Sequence, residues 1–511
     1  MDTTLSQVIA ALDAEKLLLR TANCTDAALD APITGADCDS REVRPDHLFI
    51  CKGQAFRSDF LVSALGKGAT AYLCGEALEE ELAAHAPQTP ALIVSDVRRA
   101  MGIVSPLCWG HPDERLNILG ITGTKGKSTV AYMLRSILDG DEAYAHAGIM
   151  GSIDTFDGVE NFESHNTTPE APDLWRHIAN AADSGLEHMV MEVSSQGLKY
   201  DRVVGLGIDV GCFLNIGRDH ISPVEHPDFD DYFQSKLKIF DQTRTAVVNL
   251  DCDHADIILD RAQRCERVLT FSAKDPSADV WASGIAHEMG IVSFDAHTPT
   301  WEGRVTIPMP GLFNIENALA AIAICEAIGV PSERIIERFY YVRVPGRMEL
   351  ILTPDRRVTA IVDYAHNKLS YQKFFSSMKE EFPGFWIAAV FGCPGGKALE
   401  RRAELPQEAA KWCDFLMYTE EDPAHDDVAD ICAEMAANTP EGAVFEVELD
   451  REKAITRTVE LAYGCGKPAL VCLLAKGDET RQHEGDLFVP CRTDGDIFND
   501  AVRVYSPGVG A

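Results

Sequence analysis

Residues 116–134 read LNILGITGTKGKSTVAYML. An apolar run breaks at a glycine-rich loop and resumes at helical spacing: positions 130, 133, 134, 137 and 138 share one face, and Gly140 offers a stop. A buried strand, a glycine loop and a helix in that order bring exposed amides and the helix dipole to one point, which suits a phosphate group. The loop is shorter than the usual phosphate loop, whose first glycine stands where Ile121 stands here. In GTKGKST, Gly123 and Gly126 let the backbone turn and approach phosphate oxygens, Lys127 is placed as a cation for the outer phosphates, and Ser128 can ligate magnesium.

The pattern changes near residue 106, where a mixed segment ending in ALIVSDV gives way to GHPDERLN and then the loop strand. Further strands are predicted at 188–193 and 209–215, and NALAAIAICEAIG predicts a long apolar helix ending at Gly329 before Pro331. Beyond VPGRME (344–349), apolar runs at 358–363, 385–391, 414–418, 443–449 and 468–474 alternate with helical stretches, the pattern of a mostly parallel sheet with helical crossovers. The expectation is an α/β protein of three domains, at 1–106, 107–343 and 344–511.

Composition narrows the partners. In 511 residues, 46 basic against 80 acidic side chains leave a formal charge of −34, a bulk field that repels nucleic acid and anionic membranes. An anionic substrate must then be held by a local cationic pocket. The 15 cysteines contain no C-x-x-C pair, which fits a reduced compartment better than a disulfide frame or a zinc site. The opening segment lacks a basic region followed by an apolar stretch, and FWIAAVF and PALVCLLA are too short to span a bilayer. A cytoplasmic location is expected, without membrane insertion or nucleic-acid binding.

A second constellation comprises Glu192, Asn215, His220 and Lys236. Glu192 ends one predicted strand and His220 follows another, so parallel neighbours bring both to the carboxyl edge of the sheet beside the loop, as a metal site with open positions. Taken singly, each is more often a surface carboxylate or a satisfied histidine; their order after the loop favours the functional reading.

These residues resemble the Mur ligases, ATP-dependent amide-forming enzymes of peptidoglycan synthesis, whose phosphate loop has this shortened form. Within that family the chain is similar to the E-type members, which add the third residue of the stem peptide. The resemblance runs from about residue 35 to 495 through DSREVRPDHLF (39–49), NTTPEAPDL (166–174), MEVSSQGLKYDRV (191–203), FLNIGRDH (213–220), DYFQSKLKIF (231–240), GLFNIENALAA (311–321), VPGRMEL (344–350), VDYAHN (362–367), EEDPAHDD (420–427) and AKGDETRQ (475–482). It implies an N-terminal UDP-sugar-binding α/β domain, a central P-loop ATPase-like parallel-sheet domain and a C-terminal Rossmann-like α/β domain that binds the amino acid.

The resemblance also implies roles. Ser40 would serve the uridine end of the nucleotide sugar, and Thr167, Thr168, Ser194 and Arg202 the muramoyl-peptide side. Gly123, Thr124, Gly126, Lys127, Ser128, Thr129, Asn317, Arg347 and Asp363 would hold ATP. Ser128, Glu192, His220 and Lys236 would hold magnesium, Lys236 as N6-carboxylysine, with Lys127, Lys236, His220 and Glu192 as the catalytic set and Lys238 as the competing carbamylated lysine. The implied reaction makes an acyl phosphate from the D-glutamate γ-carboxylate of UDP-N-acetylmuramoyl-L-alanyl-D-glutamate, which an incoming amine then attacks. A monomer is expected.

Diaminopimelate-adding members carry a DNPR motif whose arginine pairs with the extra carboxylate; here Glu421-Asp422-Pro423-Ala424 puts alanine in its place. An acidic pocket of Glu421, Asp422 and Glu479 would suit a side-chain ammonium, so L-lysine is expected, with L-ornithine or meso-diaminopimelate as alternatives. For the α-carboxylate, GGKALERRAEL offers Lys397, Arg401 and Arg402, of which Arg402 is preferred. Three other readings are weaker. A folylpolyglutamate synthetase would lack the DSR and NTTP motifs, a silent UDP-sugar-binding scaffold would have lost part of the catalytic set, and a generic phosphotransferase would not account for the last domain's motifs.

Overall fold

The computed structural model describes residues 3–53, 55–140, 145–164, 166–219, 221–222, 225–288 and 290–506. The chain forms two compact units: Met1–Trp281 with Thr298–Thr300 and Leu319–Ile335, and Ala282–His297 with Trp301–Ala318 and Ile336–Ala511. Both are α/β.

Besides the short antiparallel pair Thr3–Thr4 with Pro32–Ile33, the first unit is built on two larger sheets. In the N-terminal one, Gly35–Asp37, His47–Ile50, Ala71–Gly75 and Ala91–Val94 lie parallel in sequence order, and Leu18–Ala22 closes the edge antiparallel to Ala91–Val94. The second sheet is built around the loop strand Asn117–Thr122. On one side lies His188–Glu192, then Ala147–Met150; on the other lies Ile208–Phe213, then Thr243–Asn249 and Arg267–Ser272, all parallel. The chain therefore leaves the loop strand first to one side and later to the other, which makes the end of Asn117–Thr122 the topological switch point, where open α/β sheets bind ligands.

Its helix Lys127–Asp139 buries Val130, Met133, Leu134, Ile137 and Leu138, the face its spacing predicts, and Gly140 terminates it at φ 61°. Helix Val97–Cys108 serves both sheets. Its Ala100, Met101, Val104 and Cys108 belong to a core that also takes in Leu48 and Leu73 from the first sheet and Trp175 and Ile178 from helix Ala171–Ser184.

In the second unit, a six-stranded sheet runs Glu349–Leu352, Val358–Asp363, Ala469–Leu474, Trp386–Phe391, Phe415–Tyr418, Phe445–Val447. Only the first strand is antiparallel to its neighbour. All five apolar runs predicted beyond residue 349 are strands: Val358–Asp363 matches its run residue for residue, three others start one residue later, and Phe445–Val447 is two residues shorter at each end. An antiparallel hairpin, Ile291–His297 with Glu302–Ile307, belongs to the same unit. The apolar helix predicted over 317–329 starts earlier, as Phe313–Ile328.

The second unit is fastened by Arg451, which opens helix Arg451–Gly464. Its Nε and one terminal nitrogen donate to the two oxygens of Asp494 at 2.7 and 2.6 Å, and its remaining donors meet the carbonyls of Glu420 and Leu474. Arg451 is 5% exposed and Asp494 2%. Removing one member leaves the other as an uncompensated buried charge, so Arg451→Ala should destabilise this unit by about 3–5 kcal/mol in denaturant unfolding. The double replacement Arg451→Met with Asp494→Leu should recover most of that loss.

Candidate functional site

The loop after Asn117–Thr122 is held from below and from one side. Gly123 has φ 153°, and a Cβ there would lie 2.9 Å from Cβ of Leu214, so no larger residue fits. Gly126, at φ 89°, turns the chain into helix Lys127–Asp139, whose first N–H groups have no partner within the helix. Asn215 fixes the loop's course: its carbonyl accepts from Thr124 N (3.0 Å), its Oδ1 from Lys125 N (2.9 Å), and its Nδ2 donates to Lys125 O (3.0 Å). Thr124 Oγ1 accepts from Gly217 N at 3.0 Å and lies 3.1 Å from the hydroxyl of Tyr232. Ser128 and Thr129 are buried at the helix start.

Two lysines share one acceptor. Lys127 Nζ donates to the Gly123 carbonyl at 3.0 Å and Lys236 Nζ to the same oxygen at 2.9 Å. Lys236 is 2% exposed, and its Nζ lies 4.9 Å from the centroid of the Tyr232 ring. Burial, and then the charge of Lys127, push the Lys236 amine well below its usual range. Lys238, two residues on, is exposed.

Parallel register brings Glu192 opposite Ile121, at the root of the loop. Its Oε1 accepts from the backbone N–H (2.9 Å) and the hydroxyl (3.3 Å) of Ser152, and Ser152 Oγ is 3.0 Å from Ser128 Oγ. Three oxygens, from a carboxylate and two hydroxyls, thus gather where a hard divalent cation would find suitable donors. His220 lies outside the described residues.

The muramoyl-peptide candidates lie on the other side of Glu192. Thr168 is fully buried; its Oγ1 is 2.9 Å from Glu192 O, accepts from Ser194 N at 2.9 Å and lies 3.1 Å from Ser194 Oγ. Arg202 donates to Thr168 O at 2.9 Å and pairs with Glu170 at 2.8 Å, while Lys52, from the N-terminal sheet, takes the other Glu170 oxygen at 2.7 Å. Burial alone would raise the Glu170 carboxyl; Lys52 and Arg202 outweigh it and hold the group below the usual carboxylate range. Thr167 is half-buried beside Thr168, and Ser40 half-buried after strand Gly35–Asp37.

In the second unit, Asp363 accepts from Met348 N and Ala365 N, both at 2.8 Å. The Arg347 guanidinium lies over the Tyr364 ring, 4.5 Å from its centroid. Gly346 (φ 60°) permits this turn, since a Cβ would fall 2.5 Å from Asp478 N. Asn317 is buried and donates to Asn314 Oδ1 at 2.9 Å. Arg402 is engaged by two carboxylates, Asp426 at 2.5 Å and Glu434 at 3.1 Å. Asp422 and Glu479 are bridged by Lys476, a buried ammonium 3.0 Å from one and 2.9 Å from the other, whose third donor meets Arg481 O at 2.9 Å. Beside them the Glu421 carboxyl is pushed up to about 7 by burial and then by the charge of Asp422.

Sequence reasoning passed over Ser152, Lys52, Tyr232 and Lys476. Two of these were visible: Lys476 stands in AKGDETRQ and Tyr232 in DYFQSK, within motifs already singled out. Ser152 and Lys52 carried no local signal, because their contacts at 192 and 170 are distant in sequence.

A parallel sheet whose switch point carries a glycine loop, two lysines and a buried carboxylate defines an α/β enzyme that handles nucleotide phosphates. The chain matches the Mur ligase middle domain over residues 121–325 and the Mur ligase glutamate ligase domain over 346–477. It is 37% identical over 471 residues to a UDP-N-acetylmuramyl-tripeptide synthetase of Bifidobacterium longum, covering 89% of each chain. With a UDP-N-acetylmuramoyl-L-alanyl-D-glutamate--L-lysine ligase of Enterococcus faecalis it shares 35% identity over 435 residues, 84% of each. A solved UDP-N-acetylmuramoyl-L-alanyl-D-glutamate--2,6-diaminopimelate ligase superposes with a TM-score of 0.68 at 24% identity, over 99% of both chains. The chain belongs to the Mur ligase family, and it is an ATP-dependent ligase that forms amide bonds.

Gly151 tests the Glu192 geometry, because a Cβ there would lie 2.4 Å from Glu192 Oε1. Gly151→Ala should displace that carboxylate and lower ligase turnover by about 10²-fold, the scale expected for misplacement of a positioning group by about 1 Å. Circular dichroism and thermal unfolding of the same sample should show the fold retained.

Proposed function

We propose that this ligase joins L-lysine to the D-glutamate γ-carboxylate of UDP-N-acetylmuramoyl-L-alanyl-D-glutamate, converting ATP to ADP and phosphate. The reading rests first on Ala424, which stands where a carboxylate-binding arginine would otherwise stand, and on the Glu421 carboxylate beside it; Asp422 and Glu479 are already paired with Lys476. The lysine-ligase name of the E. faecalis relative supports it.

In this scheme residues 1–106 hold the uridine end, with Ser40; residues 107–343 hold the nucleotide and the peptide; residues 344–511 deliver the amino acid. Thr167, Thr168, Ser194 and Arg202 orient the muramoyl peptide so that its γ-carboxylate oxygen faces the terminal phosphorus of ATP. Attack there releases ADP and leaves an acyl phosphate. Lys127 moves from the Gly123 carbonyl to the phosphate oxygens, and Asn317, Arg347 and Asp363 bind the rest of the nucleotide. The α-amine of lysine, having given up its proton, attacks the acyl carbon, and phosphate leaves as the carbonyl re-forms. Ser128, Glu192, His220 and Lys236 would hold magnesium, which supplies charge that offsets the repulsion between the two anionic substrates.

Lys236 suits carbamylation. An uncharged amine can add CO2 and release one proton, and burial beside Lys127 favours that uncharged form. The product is an anion that relieves the crowding of two amines on the Gly123 carbonyl. We assign the protein to the cytoplasm as a monomer; no helix among the described residues is long and apolar enough to cross a membrane.

A panel of L-lysine, L-ornithine and meso-diaminopimelate compared by kcat/KM tests the assignment. L-lysine is expected to lead, with ornithine behind by about 10–200-fold, the range for one methylene; a lead for diaminopimelate would overturn it. Lys127→Ala, run alongside, should abolish product with every amino acid. The Glu421 carboxyl adds a pH signature. Protonated below about 7, it cannot pair with an ammonium, so KM for L-lysine should fall as the pH rises through that value. Glu421→Gln should remove this inflection.

A further inference from the structure

Ser195, His226 and Asp231 form a hydrogen-bonded string in the first unit. Ser195 Oγ is 3.0 Å from His226 Nε2, and His226 Nδ1 is 2.6 Å from Asp231 Oδ2. Asp231 can only accept, so Nδ1 carries the proton, and Nε2 shares a hydrogen bond with the Ser195 hydroxyl. The order is that of a serine-hydrolase triad, but the setting is not. Ser195 is 4% exposed and His226 0%, which leaves no approach for an acyl group. Asp231 is also shared with Lys199, whose ammonium lies 2.6 Å away and reaches Glu225 O at 2.9 Å, so its charge is already matched.

The string joins two segments with different tasks. Ser195 follows Ser194, whose hydroxyl meets Thr168, and it precedes Gln196, which donates to Glu225 at 2.9 Å. Asp231 lies in the first turn of helix Phe229–Leu237, the helix that carries Lys236. The next residue, Tyr232, packs its ring edge-on against His226 at 5.2 Å, places its hydroxyl on Thr124 of the phosphate loop and lies under the Lys236 amine. One imidazole therefore links Ser194–Gln196 to the helix that flanks the Gly123 carbonyl.

We propose that His226 is a positioning residue that locks the Ser194–Gln196 segment to the Lys236-bearing helix, so that occupancy of the muramoyl-peptide side sets the geometry of the phosphate side. The inference rests on the substrate assignment made above for Ser194 and the phosphate loop. It predicts thermodynamic coupling between the two ligands, which is reciprocal where it exists.

The test is titration of the full-length enzyme with ADP and magnesium, with and without saturating UDP-N-acetylmuramoyl-L-alanyl-D-glutamate. His226→Asn, His226→Gln and Ser195→Ala are compared with wild type. Asn places its amide near the Nδ1 position and Gln near Nε2, so each keeps one end of the string; Ser195→Ala removes the hydroxyl end alone and carries the test if either histidine variant fails to fold. Wild type should bind ADP more tightly with the UDP-sugar present, and each variant should lose a factor of about 2 to 30 of that enhancement while ADP affinity alone stays within about twofold. Equal loss of ADP affinity with and without the UDP-sugar would mean a merely structural role and would overturn the inference, as would variants that keep the full enhancement or a wild type that shows none. Failure of the UDP-sugar to bind wild type at all would sink the substrate assignment itself, and the inference with it.

Discussion

Two amines directed at one backbone carbonyl constrain the glycine loop of the first unit. The Gly123 oxygen accepts from Lys127 and from Lys236, one belonging to the helix that follows the loop and the other to a helix more than a hundred residues later. Two full charges that close would repel strongly in a buried place. Burial and the neighbouring charge of Lys127 therefore lower the proton affinity of the deeper amine. The glycine is therefore constrained twice, by the lack of space against Leu214 and by the direction its carbonyl must take.

Around that point a set of hydrogen bonds fixes orientation. Asn215 makes three hydrogen bonds to the loop, Ser152 reaches from another strand end to hold Glu192, and Thr168 ties its own segment to the Glu192 backbone. Lys52 and Arg202 neutralise Glu170 from two different sheets' surroundings. In a chain with a net charge of −34, such fixed cations act locally where the bulk field would oppose anionic ligands.

Much of the layout was legible in the sequence. The loop strand and its helix, and the alternation of apolar runs beyond residue 349, follow from periodicity and from the residues that interrupt it, so the α/β class and most strands could be read directly. Register was not legible. Nothing in MEVSS says that Glu192 pairs opposite Ile121, or that a serine from GSIDT closes on its carboxylate. The acidic cluster near residue 422 shows a different gap: its composition suggests a pocket for a foreign ammonium, while the fold places the chain's own Lys476 between Asp422 and Glu479. Likewise Arg402 has two carboxylate partners that come from loops and helices downstream. Pairings of this kind depend on tertiary distances that spacing along the chain does not encode.

Helix Val97–Cys108 has a practical bearing on how this enzyme can be taken apart. Since Met101 and Val104 lie in the same apolar interior as Leu48 and Trp175, a cut near residue 107 would strip one flank of that interior from each fragment. Neither piece would retain a sealed face, and recombining them would resemble the assembly of a severed core more than the docking of two autonomous modules.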